Sequence, residues 1–175
     1  MKQESLNHFV KELSKVWGPL NSSLTKKSKE LLEELTQNCI GENWVDELLE
    51  KQLPFKEVYR SEEHGFILMG HIENKGDISP PHDHGSGWVI YSTVIGQSKM
   101  GLFNRVFYPD GTMNIVQKDS YMLNAGQCSV YLPGDIHDTH TLENNTLMLR
   151  LTSCDFLKEL EKGRLVRYSN LNDKW

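Results

Sequence analysis

From Lys56 to Leu151 the chain reads as a succession of short runs rich in Val, Ile, Thr, Tyr and Phe, with no stretch of helical period between them. The runs lie at 56–61, 66–72, 88–95, 99–108, 113–117, 127–132 and 146–151. Turn-forming clusters separate most of them, among them Asn74-Lys75-Gly76-Asp77, Pro109-Asp110-Gly111 and Asn124-Ala125-Gly126. In such clusters glycine supplies a positive φ, and Asn or Asp hydrogen-bonds its own backbone. Strands this closely spaced leave no room for crossover helices. The spacing therefore predicts a mainly β fold, an antiparallel sandwich or barrel.

The first part of the chain has a different period. Leu6, Phe9, Val10, Leu13, Val16 and Trp17 share one helical stripe, which Gly18-Pro19 ends. A second helix is predicted over about 26–38, with Leu31, Leu32 and Leu35 inward. A third carries Trp44, Val45, Leu48 and Leu49 and stops before Pro54. Stripes of this width pack on the rest of the same chain. The expected organisation is a helical segment, residues 1–54, packed on a β-barrel of residues 55–175 as one structural domain. A short helix at 155–162 and a last strand at 164–168 complete the expectation.

Composition narrows the partners. The chain has 175 residues, enough for a real core, and 38% hydrophobic residues without a run of membrane-spanning length. Its net charge of −5, with no basic block, excludes the usual signature of a nucleic-acid or anionic-membrane partner. Met1-Lys2-Gln3-Glu4 lacks an apolar signal segment. Cys39, Cys128 and Cys154 are odd in number and far apart, as in a reducing cytoplasm, and form neither a disulfide framework nor a Cys-rich zinc site. An exposed edge strand or the helical segment could support a homodimer.

The chemistry is concentrated in Pro80-Pro81-His82-Asp83-His84-Gly85. The prolines disfavour helix, and on an extended strand His82 and His84 point to the same face. Pro133-Gly134-Asp135-Ile136-His137 leads a third imidazole into another extended run. Three imidazoles converging from two strands make a divalent metal site with open positions. His140, three residues after His137, is expected on the opposite face. His8, His64 and His71 have no partner at ligand spacing and read as structural or exposed. Asp83 must face away from its two neighbours and reads as a brace, and Tyr91, Tyr121, Tyr131 and Cys128 as barrel core.

Gly76, five residues, His82-Asp83-His84 and then Gly96 resembles the first cupin motif, and Gly126, Pro133-Gly134 and His137 resembles the second. The resemblance implies a double-stranded β-helix, or jelly roll, with a metal inside. Most metal-binding cupins carry a glutamate four or five residues after the second histidine, where this chain has Trp88 and Val89. Three histidines without that carboxylate resemble the thiol dioxygenases of the cysteine dioxygenase type. Val58-Tyr59-Arg60 and Gln127-Cys128 strengthen the likeness. It implies Fe(II) on His82, His84 and His137, Arg60 as the partner of a substrate carboxylate, and a small thiol and dioxygen as reactants. The Ser–His–Tyr network of that group is replaced by Met148, Arg150 and Thr152. Arg150 falls either in the pocket or on the outer face of the barrel. By donor chemistry alone Zn, Ni or Mn also suits the site, which would make the chain a cupin hydrolase or isomerase, or a non-catalytic ligand- or metal-binding module.

Overall fold

A computed structural model describes residues 3–168. Three helices lead the chain: α1 (Glu4–Val16), α2 (Ser22–Asn38) and α3 (Asn43–Lys51). Nine strands follow: β1 (Lys56–Arg60), β2 (Ile67–Glu73), β3 (Ile78–His82), β4 (Val89–Ile95), β5 (Gln97–Phe107), β6 (Met113–Asn124), β7 (Cys128–Tyr131), β8 (Ile136–Thr141) and β9 (Thr146–Thr152). A short helix, α4 (Phe156–Glu161), comes last.

The strands form two antiparallel sheets, one ordered β1-β2-β9-β4-β7 and the other β3-β8-β5-β6. Non-consecutive neighbours in both sheets are the mark of the jelly roll, and the architecture is the double-stranded β-helix of the cupin fold.

Several boundaries differ from the sequence expectation. The second helix begins at Ser22 because the Asn21 side chain accepts from the Ser23 and Leu24 backbone N–H groups at 2.9 and 3.0 Å, a cap that precedes the apolar stripe. Strand β6 runs seven residues past the expected 117 to Asn124, paired with β5 along its length. Strands β3 and β8, which carry two of the histidines, are absent from the tally of short runs, because prolines and polar residues hide their pattern. Pro80 and Pro81 are tolerated because β3 is a sheet edge. The strand expected at 164–168 does not form. Arg167 makes a single bridge to His82, and the segment is held instead by side chains.

The five-stranded sheet is covered on both faces. Leu68, Ile72, Ile90, Leu147, Leu149 and Leu151 point to the helices and join Phe9, Leu13, Leu32, Leu35 and Leu48 in the largest apolar cluster. Gly70 sits in this face, where a Cβ would lie 2.5 Å from the Leu48 Cδ1 of α3, so its lack of a side chain lets the helix close on the sheet. One buried polar tie, Thr36 to Ser92 at 2.7 Å, fixes α2 on β4. The alternate residues of the same strands face the barrel interior. There Val89, Tyr91 and Met148 pack with Met100, Leu123 and Tyr131. Among the described residues no helix is long and apolar enough to cross a membrane.

Candidate metal centre

His82, His84 and His137 are brought together, with one nitrogen from each lying within 4.8 Å of the others. Two devices achieve this. A bulge between Ser79 and His82 shifts the β3–β8 register so that His82 stands opposite His137. His84 does not lie on a strand, as the sequence reading expected. It follows the end of β3 in a loop that turns at Gly85, where φ is +62°. A Cβ at Gly85 would come 3.0 Å from the Arg164 backbone, so glycine is required by both conformation and space.

The loop is held from below by the C-terminal segment. Asp83 is buried, and its Oδ1 accepts from Gly85 N at 3.1 Å and Val166 N at 3.0 Å. Its Oδ2 accepts from Tyr168 Oη at 3.0 Å and Arg105 Nη2 at 2.5 Å. Ser86 donates from N and Oγ to Glu159, which also pairs with Arg164. Asp83 is therefore a brace, in keeping with its position between two imidazoles that aim into the site.

The ring orientations suit a cation. His82 Nδ1 donates to Pro80 O at 2.8 Å, which leaves its Nε2 lone pair free. Nε2 of His137 and Nε2 of His84 lie 3.4 Å apart. Ligand bonds of ~2.0–2.1 Å to one metal ion put neighbouring nitrogens roughly 3–3.4 Å apart, so the two rings already stand at bridging distance. Burial pushes the imidazoles of all three down: His84 to about 2, with help from His82 and Arg150, and His137 well below its ordinary value. Neutral imidazoles are the ligand form. Tyr131 stacks on His137 at 3.9 Å and Phe156 on His84 at 4.9 Å, which fixes both rings. The donors present fit a divalent transition metal.

The cluster has no carboxylate among the described residues. It opens into a cavity of about 500 Å³, within the usual range for small-molecule sites. His140 lies off the site, bonded to Asp138 at 3.1 Å. His8 is exposed, while His71 is buried inside the barrel.

Three arginines line the same cavity: Arg60, Arg150 and the exposed Arg167, whose backbone is bridged to His82. Arg60 ends β1 at the rim, where Glu57 and Asp155 already occupy its guanidinium at 2.6 and 3.1 Å. Arg150 stands at the middle of β9, between Met69 of β2 and Tyr91 of β4 in register, and points inward. The structure thus decides the alternative that the sequence left open for Arg150. Tyr91, read from the sequence as core, also lines the cavity, with its ring 5.1 Å from that of His137. The parity of β9 sets Arg150 apart from Leu147, Leu149 and Leu151 without saying which set faces inward.

No family model and no curated protein matches the chain. Solved structures do resemble it. KdgF from Halomonas sp. has 18% identity and a TM-score of 0.45 over 56% of this chain and 76% of that one. The cupin domain of Schizosaccharomyces pombe Cnp3 has 12% identity and a TM-score of 0.45 over 65% and 68%. Bacillus subtilis oxalate decarboxylase, a protein with Mn(II) centres, has 14% identity and a TM-score of 0.38 over 51% of this chain and 21% of its own. The fold and the histidine cluster together define a cupin-type β-barrel with a candidate metal centre.

Proposed function

We propose that the chain is a metal-dependent oxidoreductase, an Fe(II) dioxygenase that converts a small carboxylate-bearing thiol to its sulfinate. The observation that carries this reading is the donor set, three neutral imidazoles and no carboxylate. Such a set leaves a divalent ion its full charge, which suits an anionic thiolate as a further ligand. Iron(II) held by His82, His84 and His137 supplies the electron transfer by which dioxygen oxidises the sulfur. Both oxygen atoms enter the product, so a thiolate and one dioxygen give one sulfinate and no other reductant is needed.

The chain's own residues do the rest. His82 is oriented by its bond to Pro80, and His84 and His137 by Phe156 and Tyr131. The three cysteines are free, which accords with work in the cytoplasm on a small molecule and dioxygen.

The test is anaerobic Fe(II) reconstitution followed by oxygen uptake with cysteine, 3-mercaptopropionate, cysteamine and a thiol-free carboxylate. Uptake matched by sulfinate with at least one thiol is expected. Bound iron without uptake would overturn the dioxygenase reading and leave a different metal-dependent reaction or a ligand-binding role.

A further inference from the structure

Arg150 is a cation on the inward face of β9 with no carboxylate paired to it among the described residues. It has no ion pair among the described residues, and its Nε is buried without a hydrogen-bond partner. An arginine on the central strand of a covered sheet normally has its charge compensated, because an unpaired buried charge is strongly destabilising. Here no carboxylate is paired with it: Tyr91 is its hydrogen-bond partner, and Glu73 acts on it without forming an ion pair. The guanidinium carbon lies 5.9 Å over the Phe156 ring, a weak contact next to an ion pair. The imidazoles of His71, His82, His84 and His137 can supply no negative charge. Glu73, on the inward face of β2, accepts from Thr141 Oγ1 at 2.5 Å; burial raises its pKa, while Thr141 and the charge of Arg150 act the other way. A divalent ion on the histidines would only add positive charge.

The rim arginine contrasts with it. Arg60 is bound by two carboxylates that would have to be displaced before it could receive a third. No carboxylate is paired with Arg150 among the described residues, and Tyr91, its register and hydrogen-bond partner on β4, lines the same cavity beside it.

We propose that Arg150, with Tyr91, is the receptor for the carboxylate of a short organic anion whose other end reaches the three histidines. The assignment of that other end rests on the metal-centre reading above, whereas the carboxylate site does not. The ligand class is a small carboxylate a few bonds long, held by paired donors of the guanidinium at one end of the cavity. Arg60 then shapes the entrance and makes no bond to the bound carboxylate.

The experiment uses the metal-free protein, with propionate as probe and neutral propionamide as control. Affinity is read by calorimetry, and the Arg150 Nε–H resonance, assigned by its absence in Arg150→Lys, by NMR. Propionate should shift that resonance and propionamide should not. Arg150→Gln should weaken propionate by about tenfold or more, the loss expected for charge-assisted hydrogen bonds. Arg150→Lys should fall between the two, and Arg60→Gln should bind as the wild type does. Equal affinity in wild type and Arg150→Gln, a larger loss in Arg60→Gln, or no shift of the wild-type resonance overturns the proposal. If Arg150→Gln fails to fold, the wild-type resonance alone decides. Iron content is measured in parallel. Propionate binding without iron binding would sink the metal-centre reading and leave the anion site standing. Iron binding with no role for Arg150 would do the reverse.

Discussion

The two faces of the five-stranded sheet are built from the same strands and are opposite in character. The face toward the helices is aliphatic: Leu68, Ile72, Ile90, Leu147, Leu149 and Leu151 share one buried cluster with residues of α1, α2 and α3. The face toward the barrel interior carries His71, Glu73, Tyr91 and Arg150 among its apolar residues. Buried polar atoms without partners follow the same division. His71 Nε2, His84 Nδ1, His137 Nδ1 and Arg150 Nε surround the interior, whereas in the helical layer only the Ser5 and Ser28 hydroxyls are left so. The largest apolar cluster thus lies outside the barrel, between sheet and helices. The interior holds a smaller apolar cluster beside the polar groups that line the cavity, which is where binding chemistry is possible. Stability and function are separated by one sheet thickness.

If that division holds, substitutions on the two sides should fail in different ways. The largest effect is expected at the histidines. His84→Ala or His137→Ala should reduce bound iron to background while the protein stays folded, and His140→Ala should keep its iron, as read by metal analysis and circular dichroism of the same samples. Full iron retention in His137→Ala would remove it from the ligand set. On the other face, Leu149→Ala should lower unfolding free energy by ~2–5 kcal/mol, the range for a fully buried leucine, with unchanged iron per folded chain. Denaturant titration measures this, and a loss of iron in the folded variant would mean that the two layers are not separable.

The smallest effect concerns acid. Burial holds His71 neutral and pushes its pKa down to about 3, with Arg150 adding to the shift. The unfolded chain takes up a proton near pH ~6.5 that the folded chain refuses, so stability is full above that pH and falls as pH drops toward 3, by up to ~1.4 kcal/mol per unit. His71→Gln should flatten the acid limb of the metal-free protein by up to that slope, with the three site histidines contributing equally to both proteins. An unchanged slope would mean that His71 is protonated or solvated in the fold.

Local chemistry was readable wherever it depended on neighbours in the chain. The turn before His137 and the opposite face of His140 are matters of one- to three-residue spacing; the pair His82 and His84 was plain as a motif, but the loop that aims His84 was not. The apolar stripes of the helices and most of the strands were equally plain. Where a signal was masked, the reason is specific. Prolines obscured β3, polar residues obscured β8, and the cap at Asn21 lay outside the stripe it starts. The strand expected at 164–168 failed because Asp83 and Arg105 bind that segment through Val166 and Tyr168, an arrangement of side chains that strand propensity does not encode.

The sequence by itself determined that this is a β-barrel with a helical cover and three histidines able to meet. Alternation of side chains and turn chemistry operate over a few residues and leave little choice. Only the tertiary structure decided which side of each strand is the interior. In β9, alternation separates Leu147, Leu149 and Leu151 from Met148, Arg150 and Thr152, but says nothing of which set looks into the barrel. On a sheet covered by water on one side, the leucines would have pointed to the barrel core. Here the helices provide a second apolar surface and take the leucines, so Arg150 turns inward to the cavity beside the three histidines.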